Sequence, residues 1–301
     1  MYEAVVIGSG PAGLNAALYL KRAGKNVIVI EKEYEGTGQI VQSICVENYL
    51  GFQPLPGEEL GERFRWHVLS EYVPILEDEV TEIIHKDTWH VILLSGKTVE
   101  AETLIYAAGA SPRKLGISGE ETYQGKGMSY CAYCDGSLYK GKDTAVIGGG
   151  DTALDDAMYL SELCRKVYLI HRRAEFRGNE AAVEILKKKE NVEFILETSV
   201  REIKGQKRLE EILLDNGKKI SVTGLFVAIG SLPAADLIEK YVQRDENGYV
   251  IAGEDGITSS SGLFVAGDVR TKKLRQVITA VSDGANAAAS AIHYLKFCRK
   301  R

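Results

Sequence analysis

Apolar residues along the chain come in runs near five residues long, several of them closed by a glycine or an acid. Ala4-Val5-Val6-Ile7 has the continuous apolar character of a buried strand and runs into Gly8-Ser9-Gly10-Pro11-Ala12-Gly13. Residues 14–22 then read as a helix, and Val27-Ile28-Val29-Ile30 is a second strand that ends at Glu31. The same order returns further along: residues 144–147 lead into Gly148-Gly149-Gly150-Asp151-Thr152-Ala153, a helix follows to about Leu163, and Val167-Tyr168-Leu169-Ile170 ends at His171. The interval from Gly8 to Glu31 is 23 residues, and so is that from Gly148 to His171. A third element repeats as well. Leu104-Ile105-Tyr106-Ala107-Ala108-Gly109 leads to Pro112, and Phe226-Val227-Ala228-Ile229-Gly230 leads to Pro233.

Residues 80–99 and 192–222 read as antiparallel strand pairs with tight turns, as at Asp215-Asn216-Gly217. After Pro233 comes a turn-rich stretch, then Gly262-Leu263-Phe264-Val265-Ala266-Gly267-Asp268, a buried strand ending in an acid. Arg275-Gln276-Val277 open a helix rich in small residues over 280–291. Each strand, glycine turn, helix and second strand is the unit that binds a dinucleotide. Its glycines give a tight turn, room for a pyrophosphate and close helix–strand packing, and the phosphates lie against the positive end of the helix.

The two units differ at the end of the second strand. Glu31 can accept hydrogen bonds from both hydroxyls of an adenosine ribose, which suits FAD or NAD. The second unit has His171-Arg172-Arg173 there, with Arg177 close behind. Arginines in place of an acid suit a 2′-phosphate, which guanidinium grips in bidentate fashion, so this unit reads as an NADPH site. Asp268, at a strand end beside a helix N-terminus, can hold the sugar chain of a flavin. That assignment splits the first domain, giving residues 1–112 and 236–301 around an inserted domain of residues 113–235. The expected fold is α/β: two Rossmann-like, three-layer ββα domains, the NADPH domain inserted into the FAD domain.

Composition narrows the class. The 301 residues allow two domains, and 45% apolar with 26% charged residues describes a globular chain with a sizeable core. A net charge of −5, evenly mixed, gives no nucleic-acid footprint. Glycine is the outlier, at 31 residues. Met1-Tyr2-Glu3 passes straight into the first strand without a secretory pattern, and no run approaches the ~18 apolar residues that span a membrane. The basic end, residues 296–301, reads as a solvated tail. The expected address is the cytoplasm, where thiols stay reduced.

In that compartment a close cysteine pair is catalytic or metal-binding. Cys131-Ala132-Tyr133-Cys134-Asp135-Gly136 holds such a pair, 17 residues ahead of Gly148. Two cysteines separated by two residues close a disulfide and reopen it, and a helix opened by them lowers the thiol pKa. A zinc site needs a second close pair, which the remaining cysteines do not form, so no metal is expected. A redox dithiol beside an NADPH site, facing a flavin, implies hydride transfer to the flavin and two electrons onward to the disulfide.

In these motifs the chain resembles the low-molecular-weight NADPH-dependent thioredoxin reductases over its whole length. The resemblance rests on residues 8–13, the cysteine box, residues 148–153, His171-Arg172-Arg173 with Arg177, Gly267-Asp268 and Arg275-Gln276. It implies reduction of a thioredoxin disulfide, a homodimer made largely through the FAD domains, and no nucleic-acid or membrane partner. Carried over by residue, Cys134 is the thiol next to the flavin, Cys131 attacks the thioredoxin disulfide, and Asp135 is the acid/base. FAD is expected at Gly8, Gly10, Pro11, Ala12, Gly13, Glu31, Gly38, Gln39, Asn48, Ala108, Gly109, Gly267, Asp268, Arg275, Gln276 and Val277. NADPH is expected at Gly148, Gly149, Gly150, Asp151, Thr152, Ala153, His171, Arg172, Arg173, Arg177, Ile229 and Gly230.

The nicotinamide site and the cysteine pair sit on one inserted domain, yet both must reach one flavin. The resemblance implies that this domain rotates about its connections near Pro112 and Pro233. The family's Gly-Gly-Gln appears here as Thr37-Gly38-Gln39, and its Asn-x-Pro-Gly as Asn48-Tyr49-Leu50-Gly51. Thr37 adds a side chain where backbone passes close to the flavin, and Leu50 frees a turn that proline fixes. Alternatives keep the chemistry with another thioredoxin-like or peroxiredoxin-linked acceptor, or feed the flavin from a non-nicotinamide donor.

Overall fold

The computed structural model describes residues 1–43 and 45–298. The chain divides into two compact units, Met1–Ser111 with Leu232–Arg301, and Pro112–Ser231.

Following the chain, the first unit begins with β1 (Tyr2–Ile7), α1 (Pro11–Arg22), β2 (Val27–Glu31), α2 (Gly57–Ser70), β3 (Ile75–Glu77), β4 (Val80–His85), β5 (Trp89–Leu93) and β6 (Thr98–Tyr106). The crossing strand β7 (Ala110–Pro112) leads to the second unit, with α3 (Glu120–Tyr123), β8 (Met128–Ser129), α4 (Ala132–Asp135), β9 (Asp143–Ile147), α5 (Asp151–Leu163), β10 (Lys166–Ile170) and α6 (Glu180–Lys187). Strands β11 (Val192–Ile195), β12 (Val200–Lys204), β13 (Glu211–Leu214), β14 (Lys219–Ser221) and β15 (Gly224–Val227) complete it. The return strand β16 (Ser231–Pro233) brings the chain back to β17 (Leu263–Val265) and α7 (Val277–Phe297).

In the first unit the parallel order is β3-β2-β1-β6, with β17 on the far side of the C-terminal half of β6. The N-terminal half of β6 pairs instead with β5, so one nine-residue strand serves both a parallel sheet and the antiparallel β4-β5-β6 meander. The apolar run of β1 is buried because α1 and α7 cover one face and the meander, Ile238 and Val250 cover the other. Helix α1 starts at Pro11, whose fixed φ and missing N–H suit a first turn, and stops before Gly24, where φ is +74°. It packs tightly on α7: a Cβ on Gly284 would overlap the Ala12 carbonyl.

In the second unit five strands, β11-β10-β9-β15-β8, are all parallel, and β12-β13-β14 form a separate antiparallel sheet. Residues 192–195 were expected in an antiparallel pair. They extend the parallel sheet instead, pairing with β10, because α5 and α6 cover one face of the strand, with Val192 and Phe194 packed on the cluster of Leu154, Leu160 and Leu186.

The inserted unit ends at Ser231, where residues 113–235 were expected. Ala235 is fully buried among Ile238, Val250 and Val265, and the Ala234 N–H donates to Gly109 O at 3.0 Å, so these residues pack with the first unit. Helix α7 runs through Phe297, so the basic end expected as a solvated tail begins as helix, and residues 299–301 lie outside the described residues. Among the described residues no helix is long and apolar enough to cross a membrane.

Candidate functional site

The glycines of the first turn divide into two kinds. Gly8 has φ +99°, and a Cβ there would run into Ala107 O, while a Cβ on Gly13 would overlap Gly8 O. Both are required by the chain's own packing. Gly10 is not: its φ of −65° and ψ of 174° suit any residue, and its Cβ would meet nothing closer than 3.8 Å. The missing side chain leaves room directly over the N-terminus of α1, where a pyrophosphate belongs. Pro11 and Ala12 follow in the first turn of that helix.

Around this turn the structure gathers most of the expected flavin residues. Glu31 is buried at the end of β2, where its Oε2 accepts the Ser9 N–H and hydroxyl, both at 2.8 Å, and its Oε1 accepts the Glu33 N–H at 3.1 Å. Gly38, at φ +75°, passes within contact of Gly10, and Gln39 donates its side-chain amide to Ala110 O. Ala108 is exposed beside Gly109, which has φ +72°. The Asn48 amide donates to Gln276 Oε1 at 2.9 Å, and Gln276 caps α7 in a capping box with Thr279. Val277 packs on the cluster of Ile40, Val46, Leu55 and Leu60.

Thr37 does not crowd this site. It is buried, with its hydroxyl and Cβ filling the space a side chain on Gly61 of α2 would need. Leu50 is 92% exposed, in a turn that glycine makes at Gly51 with φ +102°.

Asp268 follows β17 and supplies the test of fit for a flavin. Its Oδ1 is buried without a hydrogen-bond partner, with Lys272 Nζ at 3.7 Å, and burial pushes its carboxyl above the usual range. An acceptor so placed suits a ribityl hydroxyl. The residues therefore fit a flavin adenine dinucleotide.

Sequence reasoning missed what holds this acid. Asp283 on α7 is buried and accepts the Gly267 N–H (3.0 Å), Arg270 through both nitrogens (2.9 and 2.5 Å) and Lys272 Nζ (2.8 Å). Its signal was an acid inside an otherwise small-residue helix. Arg275 lies with its guanidinium 4.1 Å over the Tyr249 ring, so its placement comes from that ring.

In the second turn Gly148, at φ +154°, fits against Ala228 O, and Ala153 occupies the third glycine position. A Cβ on Gly150 would meet nothing within 4 Å, which leaves the N-terminus of α5 open. His171 does not project into that space. Its ring is buried over Gly149, stacked on Phe176 at 5.2 Å, with Nε2 3.1 Å from Glu175 O. Burial and the neighbouring arginines outweigh that contact and hold its pKa below the usual range, so it is neutral at pH 7.

Arg172, Arg173 and Arg177 are exposed, and none makes a salt bridge within the described residues. Their loop is tied to the turn by Arg177 N–H to Gly149 O (2.7 Å) and by Asn179 N–H to Asp151 Oδ1 (2.7 Å). The loop that carries these three exposed arginines is thus tied by its backbone to the turn at the start of α5. Thr152 is exposed in the first turn of α5. Ile229 packs on the inserted unit's core, and Gly230 O accepts the Arg113 N–H at 2.9 Å.

Cys131 and Cys134 are joined as a disulfide. Cys131 caps α4, and its Sγ accepts the Cys134 N–H at 3.1 Å. The helix they open is only four residues long and continues as a 3-10 turn, so a macrodipole adds little here. Asp135 Oδ2 accepts from the Ser129 hydroxyl at 2.6 Å.

Residues 2–284 match the family of pyridine nucleotide-disulphide oxidoreductases. The thioredoxin reductase of Mycoplasma genitalium is 41% identical over 297 residues, covering 95% of this chain and 93% of the relative. That of Bacillus subtilis is 35% identical over 302 residues, covering 98% and 95%. Among solved structures, the Streptococcus pyogenes thioredoxin reductase superposes with a TM-score of 0.92 at 35% identity, covering 98% of both chains. The Lactococcus lactis thioredoxin reductase in its FR conformation gives 0.67 at 34% identity, covering 98% and 99%. The chain belongs to the pyridine nucleotide-disulphide oxidoreductase family, among the thioredoxin reductases.

Proposed function

We propose that the chain is an NADPH-dependent thioredoxin-disulfide reductase, passing reducing equivalents through FAD and the Cys131–Cys134 disulfide to the disulfide of thioredoxin. The observation that carries this reading is a closed disulfide on the same unit as three exposed arginines on the loop tied to a dinucleotide turn. Neither feature alone names a function. Together they give a two-electron acceptor and its nicotinamide source.

The first unit holds FAD, with Gly10 leaving room for the pyrophosphate, Glu31 at the ribose and Asp268 at the sugar chain. The second unit holds NADPH, with Gly150 open over α5 and Arg172, Arg173 and Arg177 on the 2′-phosphate. Bound FAD supplies the step between a hydride donor and a disulfide. With FAD bound, Cys134 would be the sulfur that takes electrons from it and Asp135 would move the accompanying proton; Cys131 attacks the partner disulfide, forming a mixed disulfide and releasing one partner thiolate, and Cys134 then attacks Cys131, re-forming the pair and releasing the second.

The inserted unit turns about β7 and β16 between the two half-reactions. The enzyme is a homodimer through the first unit, where exposed Trp66, Leu69 and Tyr72 offer apolar surface, and it works in the cytoplasm, in keeping with the thiols of Cys164 and Cys298.

An anaerobic titration with NADPH, following flavin absorbance, tests the reading. The expected result is about two NADPH per flavin for full reduction, falling to about one in Cys134→Ser. A flavin that NADPH leaves oxidised overturns it.

A further inference from the structure

Ser129, the last residue of β8, makes three contacts around the redox pair. Its hydroxyl is 2.6 Å from Asp135 Oδ2, accepts the Cys131 N–H at 3.0 Å and lies 3.3 Å from Cys131 O. A serine hydroxyl has one hydrogen to give. The 2.6 Å contact has the length of a charge-assisted bond, so the hydrogen goes to the carboxylate. Ser129 is itself buried, and β8 is fixed to β15 through the pairs Met128–Leu225 and Ser129–Phe226. The Asp135 N–H donates to Cys131 O at 3.2 Å. The carboxyl group of Asp135 is therefore anchored to the parallel sheet, although the residue itself belongs to a four-residue helix.

We infer that Ser129 is a positioning residue for Asp135, fixing its carboxyl group beside the cysteine pair and favouring the ionised form. This rests on the reading of Cys131 and Cys134 as a redox pair served by Asp135. Opening the disulfide breaks one S–S bond and places two electrons on the sulfurs; one sulfur ends as a thiolate and the other takes one proton. The electrons come from the reduced flavin of the proposed circuit, and the proton comes through Asp135. A hydrogen bond donated to the charged form lowers a carboxyl group's proton affinity, so losing the Ser129 hydroxyl raises it.

Other groups lie near Asp135 and the redox pair. Tyr139, on the turn after α4, is raised by burial and by Asp135 and feels the Arg208 guanidinium. Helix α5 brings Asp155 and Asp156 towards Tyr133, whose ring stacks on Tyr159 at 4.6 Å. On the β8 side, Tyr130 donates its hydroxyl to Glu120 at 2.7 Å.

The experiment follows alkylation of the dithiothreitol-reduced holoenzyme by iodoacetamide between about pH 5 and 9, since thiolate fraction sets the rate. Thiol ionisation gives every variant one inflection; the wild type shows a second, set by Asp135, that Asp135→Asn removes. Ser129→Ala moves it upward by about one pH unit, a tenfold change in proton affinity. In the Asp135→Asn background Ser129→Ala changes nothing, as a double-mutant cycle requires of an effect carried by the pair. A second inflection that survives Asp135→Asn overturns the inference. So does one that Ser129→Ala leaves in place, or a Ser129→Ala effect that persists in the Asn background. No nicotinamide enters this measurement, so an NADPH titration that fails in the same preparation counts against the proposed function alone.

Discussion

The imidazole of His171 fills the space that a side chain on Gly149 would need. This pairing turns a histidine at the end of β10 into a wall of the dinucleotide turn and holds the start of the arginine loop.

It predicts that Gly149→Ala acts on the loop rather than on the chemistry. The new methyl group displaces the ring, at a cost of about 1–3 kcal/mol in stability, as overpacked sites show. The guanidinium groups then lose their register on the phosphate. Charge-assisted contacts of this kind contribute ~1.5–3 kcal/mol, so the KM for NADPH rises roughly tenfold or more with kcat nearly unchanged. Steady-state kinetics with NADPH and NADH checks it, because the NADH constants stay close to those of the wild type.

Gly10 and Gly13 separate packing from ligand binding within one motif. Gly13→Ala drives a methyl group into Gly8 O and leaves the fold unstable. Gly10→Ala meets nothing closer than 3.8 Å in a backbone conformation open to alanine, so the chain folds with its thermal midpoint nearly unchanged. What it loses is flavin. The apoprotein of Gly10→Ala, reconstituted with FAD and followed by quenching of flavin fluorescence, binds at least about tenfold more weakly, the loss of one ~1.4 kcal/mol contact.

These contrasts also show what the sequence makes legible. Both glycine turns were legible because their backbones need glycine at Gly8 and Gly148 whatever surrounds them, and strand and helix flank them at fixed spacing. The disulfide was legible because Cys131 and Cys134 are three residues apart. The role of His171 was not, since only the fold shows that Gly149 lies beneath its ring. Asp283 carried only a faint signal, because Gly267, Arg270 and Lys272 are brought to it by the fold; Ser129 lies two residues before Cys131, but no spacing marks a serine as the partner of Asp135. The strand at 192–195 was misjudged because its pattern is the same in a parallel sheet and a hairpin, and only the cover from α5 and α6 decides between them.

The ion cluster at the start of α7 gives a third prediction. Arg270 and Lys272 have side chains 7% and 6% exposed, and Asp283 pairs with both. Asp283→Ala leaves two buried cations with little compensation, and removing one partner of a buried pair costs about 3–5 kcal/mol. The Gly267 N–H also loses its acceptor, so the turn that presents Asp268 loosens. Urea unfolding measures the first effect. Release of FAD at a lower urea concentration than global unfolding measures the second, and simultaneous release and unfolding counts against a separate role at the flavin.

Asp156 makes a prediction about pH. It is buried on α5, and burial, then the negative charge of Asp155, raise its carboxyl to about 7. An aspartate in the unfolded chain titrates near ~3.9. Between those values the folded protein holds a proton that the unfolded chain has lost, so this group's contribution to stability is fully present below about pH 4. It falls as pH rises and is lost above about pH 7, with a total span of at most about 4 kcal/mol. Asp156→Asn cannot ionise and removes this dependence. The difference in unfolding free energy between variant and wild type, taken at about pH 4.5 and about pH 8, cancels the other carboxylates and isolates Asp156. It grows in the variant's favour at the higher pH, and an equal difference at both pH values means that Asp156 titrates like an exposed acid.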